Sequence, residues 1–108
     1  MIDWGRVTEL RTEIGAEGFA EVIELFLEEA DEAITRLSGP PDPATVEASL
    51  HFLKGSALNL GFGNLAALCQ DGERKAATGA AVDLAPVTTA YAMSKRLFLS
   101  GVGRLSAV

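Results

Sequence analysis

The chain has 108 residues, of which 48% are hydrophobic, and a formal net charge of −6. This length predicts one compact domain over residues 1–108, and the hydrophobic content argues against disorder. The acidic balance argues against a nucleic-acid surface, and no apolar run approaches the roughly 20 residues that span a bilayer. The amino terminus lacks a secretory signal and Cys69 is the only cysteine, so we expect a cytoplasmic protein without an internal disulfide.

Two amphipathic helices are predicted at the start of the chain. Asp3 is typical of an N-cap, and the short helix that follows it should end near Gly15. In the long second helix, apolar residues step by three and four while acidic residues take the outer face, up to Ser38-Gly39. The apolar positions of this second helix are Phe19, Val22, Ile23, Phe26, Leu27, Ala30, Ala33, Ile34 and Leu37.

A proline-rich connector, Pro40-Pro41-Asp42-Pro43, precedes the third helix. Its aspartate is typical of an N-cap and its last proline of a first helical position. We expect this helix to reach about Leu60 and to be broken by Gly61. The apolar stripe predicted along it consists of Val46, Leu50, Leu53, Ala57 and Leu60.

The last third of the chain predicts two more helices. The fourth is weakened at Gly72 and ends at Gly79, and Asp83 caps the fifth, which should fray at Gly101 and Gly103. The inward-facing residues predicted in the fifth helix are Val87, Tyr91, Leu97 and Phe98. No segment alternates like a strand, so the predicted fold is all-α, an up-down antiparallel four-helix bundle with an additional short N-terminal helix.

His51 is the only histidine, and it lies on the third helix about 140° from the centre of the apolar stripe. Its imidazole should therefore face solvent or a partner. Lys54 and Gly55 lie beside it, one turn further on. Glycine inside a helix costs up to about 1 kcal/mol relative to alanine, and close approach by a partner is a reason to keep Gly55. These residues indicate a small, open site with a nucleophilic nitrogen and a nearby cation.

The run His51-Phe52-Leu53-Lys54-Gly55-Ser56, followed by Leu60-Gly61, resembles the signature of the histidine-containing phosphotransfer (Hpt) domains of bacterial and fungal phosphorelays. The resemblance implies that His51 accepts a phosphoryl group and that Lys54 stabilises its charge. It also implies that a Gln or Glu of the fourth helix orients the imidazole, and Gln70 and Glu73 are both candidates.

The partners implied by this resemblance are receiver domains of response regulators and a hybrid histidine kinase. An aspartyl phosphate on one receiver is the implied donor, and a second receiver takes the group. Mg²⁺ is expected only on the partner receiver, so this chain needs no cofactor.

With one histidine and one cysteine the chain cannot build a structural zinc site. It has no kinase signature or room for an ATP-binding domain, which predicts a phosphoryl carrier; a monomer is the default.

The small residues around His51 favour a docking surface for a partner over a substrate pocket. Ala44, Ala48 and Gly55 predict a strip of low relief, and Leu58 adds an exposed apolar contact. Two alternatives stay open. The chain could be a helical interaction domain that binds and regulates a receiver or kinase without being phosphorylated. It could also be a domain detached from a larger hybrid kinase, which shares the chemistry.

Overall fold

The computed structural model describes residues 2–40 and 42–106, the last four of these by their backbone alone. This part of the chain forms five α-helices and no strand, which confirms the predicted all-helical class. Pro41, in the predicted connector, lies outside the described residues. In chain order the helices are α1 (Trp4–Ile14), α2 (Ala16–Leu37), α3 (Pro43–Leu60), α4 (Gly63–Ala77) and α5 (Ala85–Ser106).

Carboxylates at three helix starts accept hydrogen bonds from backbone N–H groups that have no partner within the helix. Before α1, Asp3 accepts one from the N–H of Arg6 at 3.1 Å. Before α3, Asp42 accepts one from the N–H of Thr45 at 3.3 Å. Before α5, Asp83 accepts one from the N–H two residues later at 3.1 Å. The three predicted capping residues are therefore confirmed.

The core follows the apolar stripes predicted for α2 and α3. The stripe of α3 is buried along its whole length, at Val46, Leu50, Leu53, Ala57 and Leu60. The buried positions of α2 are Phe19, Ile23, Leu27, Ala30, Ala33 and Leu37. Burial of such side chains stabilises the fold by roughly 1.5–3 kcal/mol for each large one. Because the apolar stripe is buried on one face of α3, the opposite face is available to contact solvent or another molecule.

Helix α3 packs against both α2 and α4, so it is braced on two sides. Helix α5 packs on α4, and α1 contacts both α2 and α3. The molecule measures 46 × 21 × 19 Å along its principal axes, as expected for long helices packed side by side. This packing holds the histidine-bearing helix rigidly while its outer face stays accessible.

Aromatic rings join the amino-terminal segment to α5. Trp4 stacks on Phe98 with ring centroids 5.9 Å apart, and Phe98 meets the edge of Phe62 at 5.5 Å. A Cβ atom at Gly101 would overlap the indole ring of Trp4, so the glycine permits this close packing. The helix continues through Gly101 to Ser106, beyond the predicted point of fraying.

One inward-facing residue predicted for α5 is wrong. Val87, Tyr91 and Phe98 are buried, but the side chain of Leu97 is 43% exposed. The buried stripe runs through Ser94 instead, at steps of four, three and four. Leu97 lies about 100° around the helix from Phe98, which places it outside this stripe.

We expect Gly61→Ala to lower the free energy of unfolding by about 2 kcal/mol or more. Gly61 ends α3 with φ +77°, and a Cβ atom there would lie 2.6 Å from the carbonyl oxygen of Asp3. Urea unfolding followed by circular dichroism measures the change. The control is Gly55→Ala, where a Cβ atom meets nothing within 4 Å and helix propensity favours alanine. Equal effects of the two substitutions would contradict the account of Gly61.

Candidate functional site

The imidazole of His51 projects from the middle of α3 into solvent. Its side chain is 72% exposed, whereas its neighbours Leu50 and Leu53 are fully buried. The helical spacing predicts this arrangement, because residues 50 and 53 lie on the face turned toward the core. A reacting group on another molecule can therefore reach the ring directly.

Glu73, on α4, bridges the imidazole and a neighbouring ammonium group. Its Oε1 lies 2.6 Å from Nδ1 of His51, and its Oε2 accepts a hydrogen bond from Nζ of Lys54 at 2.9 Å. The side chains of Glu73 and Lys54 are only 19% and 21% exposed, so the carboxylate is largely shielded from water. One carboxylate thus fixes two groups of α3 from the adjacent helix.

A close contact one residue away from this bridge brings α4 near α3. Gly72 is buried inside α4, and a Cβ atom there would lie 2.8 Å from Cδ1 of Leu50 and 3.2 Å from Cγ1 of Val82. The leucine therefore packs where a side chain would otherwise stand. Because Leu50 and Gly72 directly precede His51 and Glu73, this contact sets the distance across which the bridge forms.

The helix containing this glycine is continuous from Gly63 to Ala77, so Gly72 does not interrupt it. The propensity cost of glycine in a helix is roughly 1 kcal/mol, and tertiary packing of the Leu50 side chain offsets it here. Gly79 has φ +79° in the turn after the helix, close to the predicted end.

The pKa of Glu73 is held below its usual range, chiefly by the hydrogen bond from Lys54, with a further contribution from His51. Partial burial opposes both effects but does not cancel them. Glu73 is therefore ionised at neutral pH and can only accept hydrogen bonds. It follows that Nδ1 of His51 carries the proton in this contact, and in the neutral ring the lone pair lies on Nε2.

Four exposed positions share the outer face of α3 with His51. Ala44, Ala48 and Gly55 present little or no side chain, and Leu58 is 56% exposed. A Cβ atom at Gly55 would meet nothing within 4 Å, so packing inside the protein does not account for the glycine. We call these four residues the outer strip. Its low relief leaves room for a large partner beside the imidazole.

A family model described as Hpt domain matches residues 21–97. The matched region contains most of α2 and α5, all of α3 and α4, and every site residue discussed above. The chain belongs to the Hpt domain family. Comparisons with curated proteins and with solved structures found no match. Membership implies histidine phosphotransfer in a phosphorelay, where Hpt domains interact with receiver domains and kinases.

Gln70 and Glu73 were both candidates for contact with the imidazole, and in this Hpt domain only Glu73 is in contact with it, among the residues that the structure describes. Within the described residues, Nδ1 of His51 bonds to Glu73, whereas Gln70 is exposed on α4. The two positions differ by three residues, or about 60° around the helix. That rotation decides which side chain faces α3.

Cys69 lies behind the site, fully buried on α4. The pKa of its thiol is raised to about 12, chiefly by burial and also by the nearby Glu73 carboxylate, while the Lys54 ammonium lowers it. The thiol is therefore protonated at neutral pH and not nucleophilic. Cys69 therefore acts as a small buried hydrophobe.

Sequence reasoning did not single out Phe52 and Arg36. Phe52 follows His51 directly and is 41% exposed, and the guanidinium carbon of Arg36 lies 6.0 Å from its ring centroid. Helical spacing contains a signal for Phe52, because residue 52 lies about 100° from His51 and away from the apolar stripe. Nothing in the sequence pattern indicates that Arg36, at the end of α2, reaches it.

Two negative findings hold for the part of the chain that the structure describes. No three His, Cys, Asp or Glu side chains come together there as a metal site. None of its helices combines the length and apolar character that crossing a membrane requires.

We expect Glu73→Gln to lower the free energy of unfolding by about 1 kcal/mol at neutral pH. The pKa of Glu73 is depressed in the folded protein, so its stabilisation is present above the pKa of the unfolded chain and is lost as pH falls through the folded value. The difference between wild type and variant should therefore persist down to about pH 5 and vanish at lower pH.

Urea unfolding across a pH series measures this difference. Glu24→Gln, on the exposed face of α2, is the matched control and should change stability little at any pH. A wild-type advantage over Glu73→Gln that stays constant down to pH 2 would contradict the assignment.

Proposed function

We propose that Nε2 of His51 accepts a phosphoryl group from the aspartyl phosphate of a receiver domain and passes it to a second receiver. The supporting observation is the contact between Nδ1 and the Glu73 carboxylate, 2.6 Å long, which leaves the exposed ring nitrogen with the lone pair. A hybrid histidine kinase system is the proposed source of the group.

The proposed transfer needs no base on this chain. The lone pair of Nε2 forms the N–P bond while the P–O bond to the aspartate breaks, and the aspartate leaves with that electron pair. The proton stays on Nδ1, so the ring gains positive charge as the bond forms. The Glu73 carboxylate, already in contact with Nδ1, stabilises that charge without rearrangement.

Lys54 is the proposed ligand of the transferred phosphoryl group. Its ammonium group has three N–H donors, and the bond to Glu73 occupies one of them. The remaining donors are consistent with a second role toward phosphoryl oxygens. In this transfer the chain uses no cofactor of its own, and Mg²⁺ is bound by the partner receiver. The chain acts as a phosphoryl carrier and has no ATP-binding site.

The outer strip is the proposed docking surface for receiver domains. We take the four long helices as an up-down antiparallel bundle with α1 as an additional helix, which the short connections between α2, α3 and α4 support. In such a bundle, the surface around His51 is rigid and flat.

We propose that the protein acts as a cytoplasmic monomer that binds each receiver in turn.

We expect His51→Gln to abolish labelling by a phosphorylated receiver domain while receiver binding is retained. The substitution removes the nucleophile but keeps a polar side chain on an exposed position, so the docking surface changes little. Incubation with a panel of phosphorylated receivers, with separate binding measurements, tests this outcome. The wild-type label should be acid-labile, as an N–P bond requires.

An acid-stable label, or one that persists in His51→Gln, would contradict the assignment of His51. A wild type that binds receivers without being labelled would favour the alternative of a non-phosphorylated interaction domain.

We expect Gly55→Gln to slow phosphotransfer by about tenfold or more, since displacing reacting atoms by about 1 Å can cost roughly 100-fold. Its stability should stay the same or rise by up to about 1 kcal/mol, because the site is open and glutamine favours the helix. Transfer kinetics and thermal unfolding separate the two effects.

Gly63→Gln is the matched control, because a Cβ atom at this glycine, at the start of α4, also meets nothing within 4 Å. Its transfer rate should equal that of wild type. Unchanged transfer in Gly55→Gln, or a comparable loss of stability and transfer, would remove Gly55 from the docking surface.

A further inference from the structure

A shallow groove lies beside the outer strip, between the carboxyl end of α2 and the first half of α3. Its lining residues are Arg36, Ala44, Thr45, Ala48, Ser49 and Phe52. Ala44 and Ala48 belong to both the groove and the outer strip, so the two surfaces are continuous. A protein that reaches His51 over the strip would therefore also cover this groove.

Arg36 and Phe52 form the prominent features of the groove. The guanidinium carbon lies 6.0 Å from the ring centroid, within the range of a cation–π contact. The Arg36 side chain is 52% exposed, and it also forms an ion pair with Glu32, one turn earlier, at 3.6 Å. A guanidinium that rests on a ring keeps N–H donors at its edge for an additional acceptor.

Charge around the groove favours an acidic partner group at this point. The other exposed charged residues along this part of α2 are all acidic: Glu21, Glu24, Glu28, Asp31 and Glu32. On α3, Lys54 is already bonded to Glu73. The acidic residues of α2 would repel an approaching carboxylate everywhere except at Arg36, whose guanidinium can bind it through two hydrogen bonds.

We infer that this groove selects the receiver domain: Arg36 binds a carboxylate side chain beside the receiver's phosphorylation site, and Phe52 packs against apolar atoms next to it. This inference rests on the proposed function and adds a specificity-determining pair to it. Neither residue takes part in the phosphoryl transfer itself. Their effect therefore belongs to the encounter of the two proteins, not to the chemical step.

The test uses the receiver domain that labels the wild type fastest in the panel described above. Arg36→Gln should lower the second-order rate of transfer by about 3- to 10-fold, as expected for a charge at the rim of an interface. The single-turnover rate at saturating receiver should not change. The loss should shrink as salt is raised, because screening weakens the same contact in the wild type.

Three further variants separate recognition from structure. Arg36→Lys should recover part of the rate because it restores charge without the planar fork. Arg96→Gln removes an exposed arginine from α5 and should transfer like wild type. Arg36→Glu should be rescued by a receiver in which one carboxylate near the phosphorylation site is replaced by lysine.

The outcomes distinguish the two levels of the proposal. If the wild type is labelled and Arg36→Gln transfers at the wild-type rate at low salt, this inference fails while the proposed function stands. If Arg36→Gln slows transfer only by lowering stability, the inference also fails. If no receiver labels the wild type, the proposed function fails and the inference fails with it.

Discussion

The carboxylate of Glu73 joins the two helices that build the site, and the chemistry of His51 depends on that link. Each oxygen has its own partner: Nδ1 of the imidazole at 2.6 Å and the Lys54 ammonium at 2.9 Å. Lys54 keeps the carboxylate ionised, and the ionised carboxylate places the ring proton on Nδ1. A cation and an anion beneath the ring thus determine which nitrogen faces outward with a lone pair.

This link is possible only because α3 and α4 approach closely beside it. Leu50 occupies the space that a side chain at residue 72 would need. The same two helices carry the ion pair and the buried contact one residue apart, so packing and electrostatics reinforce each other. A site on rigid helices holds its groups more precisely than one on loops. Here the packing of the buried face of α3 fixes the position of His51 on its exposed face.

Local signals in the sequence predicted the helices and much of the site's placement. The caps at Asp3 and Asp42 and the left-handed turn at Gly61 lie within one turn of a helix end, so these local roles follow from neighbouring residues. The close approach of Gly61 to the carbonyl oxygen of Asp3 is a tertiary contact and does not. The exposure of His51 follows from helical periodicity in the same way. The error at Leu97 arose because an apolar residue beside the buried stripe was assigned to it.

The remaining features depend on how one helix is rotated and spaced against another. Periodicity does not state whether Gln70 or Glu73 faces His51, because that depends on the rotation of α4 relative to α3. Gly72 is a weak helix former in isolation, and only the position of Leu50 explains it. The pairing of Arg36 with Phe52 likewise joins two helices.

The most direct test of this account is to identify the ring nitrogen that carries the phosphoryl group. NMR of ¹⁵N-labelled, phosphorylated protein distinguishes the two nitrogens of His51 by their coupling to phosphorus and by their chemical shifts. The account predicts phosphorylation at Nε2 with a proton retained on Nδ1. Phosphorylation at Nδ1, the nitrogen in contact with Glu73, would contradict it.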